Sequence, residues 1–194
     1  MIDKINSQLP HIPIRPKNSN SQKFVVSEVP YENEVYKYKA FAAISKDTNE
    51  SCGAMLCEPH ETIKGDKVVR SMYIGELHTS SRHKGAGTAL LDHALSLCGE
   101  EDCVGIHLVA SGCYSRERVP HIFYRKYGMN TGDRKLDKKM DMFIKKGKIA
   151  TYKDFKEVKM FYPPVEYPKK NTVLHKIFRC LKNIFTTSKK CVAR

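Results

Sequence analysis

The chain has 194 residues, with 41% apolar residues and seven cysteines, and its Lys plus Arg exceed Asp plus Glu by 34 − 21 = 13. This is enough for one domain with a substantial core, and too apolar for a disordered chain. It has no apolar run of membrane-spanning length, no charged-then-apolar secretory start, and no C-x-x-C pair or paired histidines that would suggest a zinc site or disulfide framework. A cytoplasmic location and no metal are the expectations that follow.

In chain order, residues 1–22 are rich in Pro, Asn and Ser and read as a flexible arm. KFVVSEV is a short strand, and VYKYKAFAAI (35–44) is a half-buried one in which Tyr36, Tyr38 and Ala40 alternate with lysines. CGAMLCE reads as the return strand of a hairpin, PHETIKGDK as a polar loop, and VVRSMYIGELHTS as a further strand. Next comes SSRHKGAGTALLDHALSLC (80–98), a glycine turn opening a helix with Ala89, Leu90, Ala94 and Leu95 on one side. VGIHLVAS is a buried strand. PHIFYRKYG is a short helix, with Pro120 suited to its first turn and Gly128 to its stop. A charged excursion, DRKLDKKMDMFIKKGK, precedes a last strand, VKMFY. The order implies an α/β or α+β arrangement without internal repeats.

Arg82-His83-Lys84-Gly85-Ala86-Gly87 combines mobile positive charge with glycines at a helix start, where backbone N–H groups lack carbonyl partners and carry the positive end of the helix dipole. A pyrophosphate would fit. A P-loop is excluded because no G-x-x-x-x-G-K string exists, and the dinucleotide fingerprint fails because Leu90 stands at its third glycine. Taken alone, the turn is equally well read as a tight strand-to-helix connection.

The turn does not stand alone. R-x-x-G-x-G over 82–87, followed by a strand and then Phe123-Tyr124 with Gly128, resembles the coenzyme A loop and the following strand and helix of GNAT-superfamily N-acetyltransferases, over about residues 24–162. The resemblance implies an acyl-CoA N-acyltransferase fold with a mixed sheet, in a domain spanning 23–162. It implies acetyl-CoA as co-substrate, with Gly75, Glu76 and Leu77 along the pantetheine and Arg82, His83, Lys84, Gly85, Ala86, Gly87 and Thr88 around the pyrophosphate. It also implies Tyr124 as the acid for the departing sulfur; the alternative is simple packing beside Phe123. A lysine-type amine of pKa about 10.4 is neutral in only about one molecule in a thousand near pH 7, so a base is useful. His107 and Glu76 are the candidates, His107 being equally readable as a hydrogen-bonded strand histidine. Nothing near Cys113 lowers its thiol pKa, so direct attack of the amine is the default.

Three features depart from the family pattern. His83 stands where many members have glycine. No helical pair lies between the first two strands, and residues 115–120 and the lysine-rich stretch after Gly132 read as insertions. The acceptor, a protein lysine, a protein N-terminus or a small amine, is left open.

From Lys145 onward there are 14 basic and 3 acidic residues, +11 of the +13. After a stiff YPPVEYPKK, residues 172–185 repeat Leu174, Ile177, Phe178, Leu181, Ile184 and Phe185 at helical spacing between basic residues. A basic linker and amphipathic tail over 163–194 could dock on the domain, an anionic membrane, nucleic acid or a partner protein. The second functional reading is therefore a catalytically silent GNAT-like binding protein acting through that tail.

Overall fold

The computed structural model describes residues 20–32, 37–64, 66–80, 82–112 and 118–167. The arm before Asn20, Cys113 and the amphipathic stretch 172–185 lie outside them. A mixed six-stranded sheet runs β1 (Phe24–Val29), β2 (Lys39–Ser45), β3 (Ser51–Lys64), β4 (Lys67–Thr79), β5 (Ile106–Ala110) and β6 (Val158–Tyr162), in that spatial order. Three helices accompany it: α1 (Ala86–Leu97), α2 (His121–Tyr127) and α3 (Arg134–Lys145). This is the mixed α+β class expected. All neighbours are antiparallel except β4 and β5. That parallel step needs a crossover, and the glycine turn with α1 supplies it.

Two sequence expectations are corrected. PHETIKGDK is not a loop: β3 continues to Lys64 and pairs with β4 out to Lys67. Alternation there is masked by charged and polar side chains, because the arm of this hairpin lies beyond the main core. It bends over the sheet face away from α1, where Lys159 of β6 donates to the Thr62 hydroxyl at 3.0 Å and Lys64 donates to the Pro163 carbonyl at 2.7 Å. The lysine-rich excursion is the helix α3. Asp133 caps it by accepting from the N–H groups of Lys135 and Leu136, and Arg125 ties it to α2 through Asp141 at 2.7 and 2.9 Å.

The core lies between the sheet and α1. Leu90, Leu91 and Ala94 of the helix are fully buried with Met55, Met72, Ile106 and Met160 of the strands. Ile74 and Leu77 of β4 both pack on this core, although three positions apart they should face opposite ways. Gly75 is the reason. Cys57 pairs with Ile74 and Leu56 with Glu76, which leaves Gly75 as the extra residue of a β-bulge. The bulge turns Leu77 inward and leaves Glu76 and His78 exposed. Among the described residues, no helix is long and apolar enough to cross a membrane.

Candidate coenzyme-binding and acyl-transfer site

β4 and β5 pair only from Met72 to Ile74 against Ile106 to Leu108, then part. Beyond Ile74 the edge of β4 that faces β5 meets no strand among the described residues, which leaves its backbone N–H and C=O groups to an extended ligand. A cavity of about 910 Å³ occupies the gap and reaches the start of α1. It is lined by Ile74 and Leu77 from one side of β4 and by Glu76 and His78 from the other, with Leu108 and Val109 of β5 opposite. The cavity therefore passes between the parted strands.

At its far end the glycine turn is shaped by steric need. Gly85 has φ +108°, and a β-carbon there would stand 2.7 Å from the Asn20 carbonyl oxygen. At Gly87 a β-carbon would stand 3.0 Å from the Phe123 ring and 3.3 Å from Thr79. Gly85 is the N-cap of α1, and no described side chain caps the helix. Its first N–H groups thus remain for a ligand at the positive end of the dipole. The His83 ring is half-buried, and its Nδ1 is buried with no partner among the described residues. Positive φ among described non-glycine residues is confined to Asn49 and Asp102, so His83 occupies its position without the backbone strain a glycine would relieve.

Lys84, Arg118, Lys126 and Lys148 line the same cavity, against one carboxylate, Glu76. An unpaired strand edge, an uncapped helix start and a cationic rim form a donor set that suits a thioester arm ending in phosphates. The residues fit coenzyme A.

Of the residues singled out from sequence, Gly75, Glu76, Leu77, His83, Lys84, Gly85, Gly87, Thr88 and Tyr124 line this cavity. Arg82 is exposed outside the lining, and Ala86 is buried in the core beneath it. Tyr124 is 7% exposed, its ring 5.2 Å from that of Phe123, and its hydroxyl has no hydrogen-bond partner among the described residues. Burial pushes its phenol up to about 12. Glu76 and His78 lie 3.3 Å apart at the exposed side of the cavity.

His107 is not brought to this cavity. Its neighbours Ile106 and Leu108 face the core, so His107 points to the other face, where it is 2% exposed among Tyr73, His60 and Phe161. Burial, with Lys159 and His60 adding to it, lowers its pKa to about 4. Sequence reasoning missed Val119, Ile144, Ile149 and Ala150, which complete the wall. Ile144, Ile149 and Ala150 have as their only sequence signal apolar residues in or just after the lysine-rich excursion, and Val119, between Arg118 and Pro120, has none.

No family model matches the chain, and no curated protein matches it. Solved structures do. A Bacillus halodurans protein is similar at 14% identity, over 52% of this chain and 64% of its own, with a TM-score of 0.41. Arabidopsis thaliana Naa50, in complex with a bisubstrate analogue containing CoA, is similar at 24% identity over 48% of this chain and 58% of its own, with a TM-score of 0.35. The Corynebacterium glutamicum histone acetyltransferase HPA2 and related acetyltransferase is similar at 18%, over 68% and 67%, with a TM-score of 0.37. The chain thus spans about six tenths of the length of the first two. These identities and scores are low, and the reading of the site rests on its own geometry. Among the described residues no cluster of His, Cys, Asp or Glu could hold a metal ion.

Proposed function

We propose that the protein is an acetyl-CoA-dependent N-acetyltransferase of GNAT type that transfers the acetyl group directly to an amine. The observation that carries this reading is one continuous cavity. In it the free edge of β4 leads to the uncapped start of α1 at one end, while Tyr124 stands in the same wall.

The coenzyme supplies an acyl group activated as a thioester. Backbone of Gly75, Glu76 and Leu77 would pair with its arm as an added strand does, and backbone of 83–88 with Lys84 would take the pyrophosphate. Ile74, Leu77 and Leu108 give the gap apolar walls. Tyr124, its phenol held protonated by burial, would donate to the sulfur as the carbon–sulfur bond breaks. Glu76, beside His78 on the exposed side, would accept the proton that the attacking amine gives up. Amine and coenzyme then approach from opposite sides of the parted strands, as direct transfer requires.

The test is a calorimetric titration of acetyl-CoA into the parent and into Gly87→Glu. Binding by the parent that disappears in the variant supports the coenzyme site. A panel of peptides, proteins and small amines, with Tyr124→Phe as control, then identifies the acceptor. Absence of binding by the parent removes the enzyme reading.

A further inference from the structure

The cavity reaches both faces of the sheet, and its two mouths differ in charge. On the α1 side its cations include Lys84 of the glycine turn and Lys126 of α2, a helix tied to α1 by the Tyr127 hydroxyl donating to Asp92 at 2.9 Å. On the other face it opens beside Glu76 and His78. Register and packing identify what surrounds this second mouth. Phe41 meets the His93 ring of α1 at 4.6 Å, so Tyr38 and Ala40, out of phase with it along the chain by odd steps, face away from α1. Cross-strand partners share a face, which sets Glu58 beside Tyr73 and Leu56 beside Glu76.

Gly75 brings these two rows together. A β-carbon on it would stand 2.9 Å from the Tyr38 hydroxyl, so the Tyr38 ring lies on the backbone of the bulge, between the Glu58–Tyr73 row and the Leu56–Glu76 row. Tyr73 packs on the buried His107 ring at 5.1 Å. Burial first, and then Glu58 and Glu157, raise the Tyr73 phenol, so the charged groups that reach its hydroxyl are both carboxylates. Neither carboxylate forms an ion pair or hydrogen bond with described residues. Lys159, the lysine on this face of β6, is drawn to the Thr62 hydroxyl at 3.0 Å. In a chain of net charge +13 this mouth gathers carboxylates and aromatic rings, surroundings that favour a cation.

We propose that the acceptor is an aliphatic diamine: Glu58 and Glu157 hold one of its nitrogens as an ammonium against Tyr73, while the other nitrogen passes Glu76 to the thioester. The proposal rests on the acetyltransferase reading above and names the class of its acceptor. The two rows lie about 7 Å apart along the strands, the span of about four or five carbons between two nitrogens. The nitrogen at Glu76, once neutral, forms the bond to the acetyl carbon as the carbon–sulfur bond breaks. Its proton goes to Glu76 and the sulfur leaves as the thiol with the proton of Tyr124. The second nitrogen keeps its charge throughout, and a monoamine has nothing to place there.

The experiment follows thiol release from acetyl-CoA by the full chain with putrescine, cadaverine, n-butylamine and a lysine-containing peptide. Each diamine is expected to exceed butylamine about tenfold in kcat/KM, and added salt should reduce that ratio by screening the carboxylates. In Glu58→Gln/Glu157→Gln the ratio should fall toward onefold through a raised diamine KM. In Glu100→Gln/Asp102→Asn, which removes two carboxylates from the turn after α1, it should persist. Equal kcat/KM for diamine and butylamine in the parent overturns the proposal, and so does a preference that survives loss of Glu58 and Glu157. A preference indifferent to salt overturns it as well, and that measurement needs only the parent. No turnover of either diamine while acetyl-CoA binds also overturns it, and turnover of the peptide alone makes the acceptor a polypeptide. All these results leave the coenzyme site standing. A parent that binds no acetyl-CoA in calorimetry instead removes the acetyltransferase reading, and this proposal with it.

Discussion

Gly87, in the first turn of α1, lies against the ring of Phe123 on α2, and a β-carbon on Gly87 would stand 3.0 Å from the tip of that ring. The tip of a side chain can yield, whereas backbone cannot. Gly85, two residues earlier, would meet the Asn20 carbonyl at 2.7 Å and has φ +108°. The two glycines therefore differ in kind. Gly85→Ala should destabilise the fold by about 1–3 kcal/mol through backbone strain. Gly87→Ala should change stability by less than about 1 kcal/mol, because the helix gain offsets the contact. Its methyl group enters the cavity, so its coenzyme affinity should still fall. Urea unfolding of both variants checks the first pair of statements and calorimetry the last; Gly85→Ala as stable as the parent would contradict the turn as built.

Tyr124 carries the second prediction. With its phenol raised to about 12 by burial, it stays protonated across the range in which an amine is assayed. Its role as donor then predicts no fall in rate from its own ionisation below about pH 11. Tyr124→Phe should lower kcat by about 10²–10⁴-fold and leave coenzyme affinity within about twofold, because the hydroxyl holds no other described group. A variant with full kcat would show that the ring merely packs beside Phe123.

The glycine turn was legible because its requirements are local: positive charge, two glycines and a helical pattern sit within a few residues of each other. The place of Tyr124 in the cavity wall was legible for a similar reason, through a short pattern ending at Gly128. The bulge at Gly75 was not. It arises from pairing with Leu56 and Cys57, nearly twenty residues away, and it shifts the inward position on β4 to Leu77. His107 illustrates the same limit. Its position on β5 was read correctly, but the face it takes follows from Ile106 and Leu108 filling the core. The extension of β3 to Lys64 was hidden because Glu58, His60 and Glu61 give a polar run, and only the fold-back onto Lys159 and Pro163 gives those residues a surface to meet. α3 was hidden by its charge, although Leu136, Met140 and Phe143 recur at helical spacing beneath the lysines.

His107 gives the last prediction, and its sign follows from where it is buried. The ring lies among Tyr73, His60 and Phe161 under the bent hairpin arm, its Nδ1 has no partner among the described residues, and Lys159 and His60 are the cationic or titratable groups opposing its charge. Its folded pKa of about 4 lies below the ordinary value of 6.5. Between these values the unfolded chain binds a proton that the folded chain refuses, so this stability is present above pH 6.5 and is lost as pH falls toward 4. His93 and His121, also lowered by burial, add to the loss in the same direction. His107→Phe keeps an aromatic ring against Tyr73 and Phe161 and removes the titrating group. Its urea midpoint should therefore fall less than that of the parent between pH 7 and pH 4.5. Coenzyme binding and turnover at pH 7 should be unchanged, since the ring lies outside the cavity. Turnover lost with coenzyme binding intact would return His107 to the chemistry, and equal acid sensitivity in the two proteins would mean that its burial is not what the low pKa implies.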